Sequence, residues 1–375
     1  MKKVAIFYRF LPQYRVDFYN KLRESLAEEG VELSLIYGKS IDGNAAKKDE
    51  VDLPWATYVQ HRIIKIAGVD FMWQPYLKYV KDKDLVIVEQ ANKLIINYIL
   101  IFYRYFAKFK LAQWGHGRNM QIDEKSLANR FKNKLITACD WWFPYTEGVK
   151  QYIVDKGFDK SKITVVQNAI DTVTLSKEYD ALPQSQVEEL KNQLGIGSEN
   201  IGIYCGGIYE EKRIDFLIEA CDKIKEQIPD FHLIVLGSGK DAFKVKEAQA
   251  TRSWLHYLGA KFGAERIPYF KMSSIFLMPG LVGLAILDCF ATKTPMFTTT
   301  YPYHSPEIEY LVNNENGVIT ENNIEAYVNG VVEVLKDKSK LEKLVQGCEQ
   351  ARTIYNNENM VNNFKNGILK CINQS

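Results

Sequence analysis

The stretch that decides the fold is IGIYCGGIYEEKRIDFLIEA, residues 201–220. Its first five residues are apolar apart from one glycine, which predicts a short buried strand. Two glycines follow, and then Ile214, Leu217 and Ile218 recur at the spacing of one helix face. A strand, a glycine turn and a helix in this order predict a βα unit of a parallel sheet.

The same alternation continues on both sides of this stretch. Short apolar runs predict strands at 3–8, 31–37, 85–88, 111–114, 141–144, 163–166, 231–236, 275–278 and 296–298. A sheet covered by helices on both faces requires such runs, because its strands are fully buried. We therefore predict an α/β fold class with two Rossmann-like domains in tandem.

The domain boundaries follow from a break in this pattern. At 375 residues the chain is long enough for two domains. The polar segment 171–200 contains Pro183 and a glycine cluster at 195–198, and it predicts a linker. We expect a first domain at 1–170, a second at 201–355, and a C-terminal helix at 356–375 that could pack back on the first.

Charge and cysteine usage limit the function classes. The 48 Lys and Arg nearly balance the 46 Asp and Glu, which argues against a nucleic-acid partner. Residues 1–170 nevertheless carry 27 basic and 19 acidic residues, net +8, so the remainder is net −6 and the first half is suited to an anionic partner. Six scattered cysteines without a CxxC pair indicate free thiols in a reducing compartment.

Neither a signal peptide nor a membrane span is predicted. The apolar run 4–8 ends at Arg9, too early for a signal peptide, and the run 94–109 is interrupted by Asn97, Arg104 and Lys108. We expect a cytoplasmic protein.

Glycines follow several predicted strands of the second half. They are Gly206 and Gly207, Gly237 and Gly239, and Gly280 and Gly283. Small residues at carboxyl ends of strands let backbone N–H groups approach a phosphate. The first strand lacks this feature, since 8–12 contains no glycine, which argues against a dinucleotide-dependent dehydrogenase or epimerase. The pattern favours a nucleotide crevice in the second half over plain turns.

Charged residues stand beside two of these turns. Lys212 and Arg213 precede a predicted helix, where cations suit a diphosphate, although a solvated charged turn would have the same sequence. Asp288 lies about one turn into the helix after Gly283, where its carboxylate could accept hydrogen bonds from ribose hydroxyls or be satisfied within its own helix.

Together, these segments resemble the family 4 retaining glycosyltransferases of the GT-B fold. The resemblance rests on residues 162–171, 204–220, 235–239, 278–288 and 316–318. It implies two domains that face a central cleft, a nucleotide-sugar donor in the second domain, an acceptor in the first, and no bound metal. UDP-sugar is the expected donor and GDP-sugar the other option. The donor-binding residues it implies are Gly206, Gly207, Lys212, Arg213, Gly237, Gly239, Val282, Gly283, Leu284 and Asp288.

The chain departs from the family pattern at three positions. Gly207 stands where the family has an arginine, for which Arg213 could compensate. Gly280 replaces the first glutamate of the signature, and Asp288 replaces the ribose-binding glutamate with a shorter carboxylate. These departures leave a catalytically inactive sugar-nucleotide-binding relative as the alternative.

Acceptor-side candidates lie in the first half. His116, between Gly115 and Gly117, resembles a first-domain histidine of the family and is assigned with Lys212 to catalysis; a purely structural histidine is the alternative. Arg9, Arg15 and Arg118 are expected to bind the acceptor, although the first loop could simply be solvated.

A basic and aromatic stretch suggests a membrane surface. Residues 104–134 hold eight cations and two acids. An aromatic run at 99–109 overlaps the start of this basic stretch. This combination suits an anionic membrane surface or a lipid diphosphate, and a helix packed on its own sheet is the alternative.

The one Asp-x-Asp pair, Asp82 and Asp84, precedes a strand and is a poor metal site. We expect a hexosyltransferase-like enzyme of polysaccharide biosynthesis, acting on a glycan or lipid-linked acceptor and peripheral on the inner membrane face.

Overall fold

The computed structural model describes residues 1–39, 51–66, 68–117 and 135–374. Its strands are β1 Lys2–Tyr8, β2 Val31–Tyr37, β3 Thr57–Tyr58, β4 Arg62–Ile66, β5 Val69–Trp73, β6 Leu85–Glu89, β7 Lys110–Gly115, β8 Trp141–Pro144, β9 Ile201–Cys205, β10 His232–Leu236, β11 Leu255–Tyr257, β12 Ile275–Leu277, β13 Met296–Thr299 and β14 Gly317–Thr320. Its helices are α1 Val16–Glu28, α2 Ile95–Tyr103, α3 Glu147–Asp155, α4 Thr172–Ala181, α5 Gln184–Gln193, α6 Ile214–Gln227, α7 Ala242–Gln249, α8 Ile267–Lys271, α9 Ala285–Ala291, α10 Ile324–Lys336, α11 Lys338–Ile354 and α12 Asn357–Asn373.

The chain divides into two compact units. Unit 1 comprises Met1–Ile170 and Asn357–Ser375, and unit 2 comprises Asp171–Asn356. Each unit contains a parallel six-stranded sheet, in the order β3-β2-β1-β6-β7-β8 in unit 1 and β11-β10-β9-β12-β13-β14 in unit 2. The predicted α/β class with two Rossmann-like units is therefore confirmed.

Two predicted elements differ from the structure. Residues 171–200, expected as a linker, form α4 and α5 and belong to unit 2. They are helical although polar because Asp171 caps α4 by accepting the Thr174 N–H, while Leu175 supplies a small buried face. The predicted strand at 163–166 is reduced to a single bridge between Trp142 and Ile163.

The sheet cores consist of the predicted apolar runs. In β1 every residue from Val4 to Tyr8 is buried, and in β9 the whole strand is buried. All six cysteines are buried free thiols, as their scattered positions predict. Among the described residues, no helix is both long and apolar enough to span a bilayer.

The C-terminal helix completes the core of unit 1. Phe364 on α12 stacks on Phe143 at 4.7 Å between ring centroids and meets Trp114 edge-on at 4.9 Å. Gly367 allows this close packing, since a Cβ there would lie 2.5 Å from the Phe143 ring. The helix therefore packs on the sheet formed by the first part of the chain.

Arg15 ties this helix to the rest of unit 1. It is 1% exposed, although the sequence suggested that it binds an acceptor. Its guanidinium donates to the Ala169 carbonyl at 3.1 Å and to the Asn168 side chain, and it lies 5.4 Å from the Trp114 ring. Met360 of α12 contacts the same guanidinium through its sulfur. Burial leaves almost no surface of Arg15 for a ligand, so its role is structural.

We expect Arg15→Met to destabilise unit 1. The substitution leaves the Ala169 carbonyl and the Asn168 side chain without their donor, at a cost of about 1–3 kcal/mol per buried group. Thermal unfolding should shift down by several degrees. Arg62→Met, at an exposed position of β4, is the control and should melt as the unsubstituted protein does; equal melting of the two variants would contradict the structural role.

Candidate functional site

The strand order of unit 2 reverses between β9 and β12. The strands β10 and β11 lie on one side of β9, and β12 to β14 lie on the other. Open α/β sheets bind ligands beyond the carboxyl ends of the strands at such a switch point. The segments that reach this point are the glycine turn after β9 and the Pro279–Leu284 loop after β12.

Two of the predicted glycines allow main chains to touch. A Cβ on Gly237 would lie 2.0 Å from the Gly206 carbonyl oxygen, and one on Gly239 would lie 2.0 Å from that of Ile208. The two loops are also joined by the Ile208 N–H, which donates to the Ser238 carbonyl at 2.8 Å. Gly237 and Gly239 are thus required by packing between the loops after β9 and β10.

Lys212 joins the loop after β9 to the loop after β12. Its ammonium is buried and donates to the Leu281 carbonyl at 2.5 Å, while the Tyr209 ring lies 5.6 Å away. The Leu281 N–H in turn donates to the Glu211 carbonyl at 2.8 Å. A cation is thereby fixed at the switch point, where the sequence predicted a diphosphate site.

The structure gives physical reasons for both unusual glycines. A Cβ on Gly280 would lie 2.3 Å from the Glu211 carbonyl oxygen, so main chain occupies the space that a side chain would need. A Cβ on Gly207 would lie 2.7 Å from a carbon of the Tyr209 ring. A glutamate at position 280 does not fit this backbone arrangement, whereas a side chain at position 207 would require the Tyr209 ring to move.

Arg213 is directed to neighbouring side chains. It directly precedes α6 with a left-handed φ of 56°, donates to the Asn322 side chain, and lies 4.2 Å from the Phe216 ring. Burial lowers its pKa from the ordinary value. These contacts provide no evidence that Arg213 replaces the arginine expected at Gly207.

Asp288 is held by a partner that the sequence did not reveal. The Arg266 guanidinium binds both carboxylate oxygens, at 2.5 and 2.8 Å, and both side chains are largely buried. Burial lowers the pKa of Arg266, but the charges of Asp288 and Cys205 and the hydrogen bonds to both side chains together raise that pKa above its ordinary value. Because the two residues are 22 positions apart on different elements, neither spacing nor motif pointed to the pair.

His304 is a second residue that the sequence analysis missed. Its Nδ1 accepts the Val282 N–H at 3.0 Å, and its Nε2–H donates to the Thr299 carbonyl at 2.8 Å. These bonds require the neutral ring, and burial lowers the pKa of His304 accordingly. The Ser305 N–H also donates to the Val282 carbonyl, so the loop that carries Val282, Gly283 and Leu284 is held from both sides.

In unit 1, His116 lies beyond the carboxyl end of β7. It is exposed, and its ring meets Tyr145 edge-on at 4.4 Å. Gly117 has a φ of 66°, a conformation that favours glycine. The imidazole is accessible to a ligand, as its predicted role requires.

Arg9 lies at the switch point of unit 1. Its Nε is 3.1 Å from an oxygen of Glu89, the last residue of β6. Burial raises the pKa of Glu89, while the charge of Arg9 lowers it.

Arg118, the third predicted acceptor residue, lies outside the described residues. Within the described ranges, no group of three or more His, Cys, Asp or Glu could hold a metal ion.

We expect Gly280→Ala to disrupt the contact between the two loops of unit 2. The added Cβ must displace the Glu211 main chain, and overpacking of this kind costs about 1–3 kcal/mol. Differential scanning fluorimetry should show a lower melting temperature. Gly197→Ala is the matched control, since a Cβ there meets nothing within 4 Å; similar melting of the two variants would contradict the predicted clash.

Comparisons with known proteins agree with this geometry. Residues 186–351 match the family model described as glycosyl transferases group 1. An uncharacterized glycosyltransferase of Haemophilus influenzae is 22% identical over 324 residues, covering 82% of each chain. The family-model match includes the switch point of unit 2 and its glycine loops.

Solved structures resemble the chain over its whole length. A glycosyltransferase from Rickettsia africae has a TM-score of 0.74 at 15% identity, covering 100% of this chain and 99% of its own. Anabaena HepE, solved in complex with UDP, has a TM-score of 0.71 at 14% identity, covering 98% of this chain and 100% of its own. Residues 186–351 thus match the glycosyl transferases group 1 family, on a chain that has the GT-B fold of these glycosyltransferases.

Proposed function

We propose that this protein is a glycosyltransferase that moves a sugar from a nucleotide donor, held by unit 2, to a saccharide acceptor, held by unit 1. The observation that carries the proposal is the buried Lys212 ammonium, fixed between the loops after β9 and β12. Its position lies within the segment that matches the glycosyl transferases group 1 model, and a cation there suits a leaving diphosphate.

UDP-sugar is the donor that the comparisons favour. Anabaena HepE has been solved with UDP and with UDP-glucose. In our proposal Lys212 neutralises the diphosphate and Asp288 contacts the ribose. The diphosphate is surrounded by residues 282–284 and by the loops that carry Gly206, Gly207, Gly237 and Gly239. Asp288 would have to share its carboxylate between Arg266 and the ribose. GDP-sugar remains the second donor class.

We propose a retaining reaction of the family 4 type that needs no metal. The bond between the anomeric carbon and the diphosphate oxygen breaks as the acceptor oxygen bonds to the same face of that carbon. The acceptor proton passes to the departing phosphate oxygen. Lys212 stabilises the charge that develops on the diphosphate, and His116 hydrogen-bonds a sugar hydroxyl.

The acceptor class that we propose is a glycan or lipid-linked saccharide of polysaccharide biosynthesis, bound at the cytoplasmic face of the membrane. The last turn of α2 and the segment after it support a membrane surface, because Phe102, Tyr105 and Phe106 are 69%, 74% and 87% exposed. Lys108 is exposed beside them. Aromatic rings and cations together suit the interface of an anionic bilayer.

We expect UDP or GDP to raise the melting temperature in a panel that also contains ADP, CMP and NAD. A ligand at 100 times its dissociation constant adds about 2.7 kcal/mol of stability, a shift of several degrees. Lys212→Ala should lose most of the UDP-induced shift and of donor turnover, whereas Lys343→Ala, at an exposed position of α11, should keep both.

The panel also tests the alternative. Nucleotide binding without turnover would favour a catalytically inactive relative, to which Gly207 and Gly280 point. No shift with any nucleotide would contradict the nucleotide-sugar site itself.

We expect the combined variant Phe102→Ser and Phe106→Ser to bind vesicles weakly. The aromatic rings supply the apolar part of the contact, so flotation with phosphatidylglycerol vesicles should fall several-fold. Phe262→Ser, which removes a ring that is 74% exposed in unit 2, is the matched control. Equal flotation of all three proteins would contradict the proposed surface.

A further inference from the structure

Strand β2 forms an open edge of the unit 1 sheet for most of its length. Its outer neighbour, β3, pairs with it only at Ile36 and Tyr37, whereas β1 pairs with every residue from Val31 to Tyr37. Among the residues that the structure describes, no strand pairs with the outer side of β2 before Ile36. Such an edge presents unpaired N–H and C=O groups to any chain that can lie beside it.

A groove runs along this open edge. It has a volume of about 310 Å³, and its lining includes the five consecutive residues 31–35 together with Arg23 and Trp55. Successive side chains of a strand point to opposite faces, so a groove that five consecutive residues line must follow the edge of the strand. Arg23 lies over the Trp55 ring at 4.7 Å, and the Trp55 indole N–H donates to the Asn20 side chain at 2.8 Å, so these contacts fix the wall. The groove therefore lies where an added strand would pair.

The direction of the backbone groups shows which residues of β2 are open. The Tyr37 carbonyl accepts the Val59 N–H at 2.8 Å, so it points to the outer side of the strand. Backbone groups of alternate residues point to the same side, so the N–H and C=O groups of Leu33 and Val31 also point outward. The register between β1 and β2 advances one residue at a time, and residues 31–35 contain no proline. Neither a bulge nor a proline therefore blocks pairing along this stretch.

Two opposite charges flank the middle of this stretch. Glu32 and Ser34 lie on one face of β2, on either side of Leu33. Glu32 is exposed, and the Ser34 hydroxyl accepts a hydrogen bond from Lys83 Nζ at 2.8 Å. Neither Glu32 nor Lys83 forms an ion pair with any residue that the structure describes. Both charges are therefore available to a partner strand.

We propose that β2 pairs edge to edge with β2 of a second copy of this chain, antiparallel about a two-fold axis at Leu33. Leu33 and the partner's Leu33 exchange both of their backbone hydrogen bonds, and the two sheets become one continuous sheet. Glu32 lies opposite the partner's Ser34, in the type of pair whose side chains come closest. The Glu32 carboxylate thereby meets the partner's Lys83, and the symmetry forms this ion pair twice.

Charge complementarity is the reason for choosing a second copy as the occupant. The two-fold pairing does not place Glu32 opposite itself, where like charges would destabilise the contact. The register that pairs the backbone groups of Leu33 is also the register that pairs Glu32 with the partner's Lys83. A contact of this type uses the same surface patch on both copies, so it produces a closed dimer. The inference does not depend on the function proposed above.

Charge exchange across the two-fold axis tests the pairing. Sedimentation velocity of the full chain over a concentration series should show a dimer. Glu32→Lys should raise its dissociation constant roughly tenfold, because repulsion from the partner's Lys83 then acts at two places. The double variant Glu32→Lys and Lys83→Glu restores opposite charges and should recover dimerisation. Glu342→Lys, the same charge change at an exposed position of α11, should dimerise as the unsubstituted protein does.

Amide hydrogen exchange gives a second measurement that needs no variant. The Leu33 N–H should become protected as the dimer forms, whereas the Glu32 N–H points to β1 and should be protected at every concentration. A chain that stays monomeric throughout the series would overturn the inference, and the open edge would then suit a strand of a different protein. A dimer that Glu32→Lys leaves unchanged would also overturn it, since another surface would then form the contact.

Discussion

The candidate donor site depends on a main-chain contact between the turn after β9 and the loop after β12. The Glu211 carbonyl accepts the Leu281 N–H and lies where a side chain at Gly280 would project. Lys212 then donates to the Leu281 carbonyl, so its charge has one position relative to both loops. Since this contact is made by backbone, it constrains the two loops to move together and keeps the cation at the switch point.

The two units use the same strand order with different chemistry at their switch points. In unit 2 glycines bring the backbone of three loops close together around a buried lysine, an arrangement suited to phosphate groups. In unit 1 the corresponding place is occupied by charged side chains, the Arg9–Glu89 pair. The difference matches the division of roles that we propose, with the nucleotide in unit 2 and the saccharide acceptor in unit 1.

Residues outside the sequence motifs support the loops that carry them. His304 holds Val282 from one side through an imidazole that must be neutral, and burial keeps it neutral. Arg266 orients Asp288 through two hydrogen bonds, which places a positive charge beside the carboxylate proposed to meet the ribose. The motif residues are therefore held in place by partners with no fixed spacing along the chain.

The sequence by itself determined the fold class, most of the sheet strands and the glycine turns of unit 2, because buried strands and tight turns impose local patterns that can be read directly. It placed Gly206 directly after β9 and Lys212 just before α6 for the same reason. Only the tertiary structure showed that Arg15 is buried and that residues 171–200 belong to unit 2, since packing against distant residues leaves no local pattern. The pairing of Asp288 with Arg266 likewise depends on a contact between elements that are far apart in the chain.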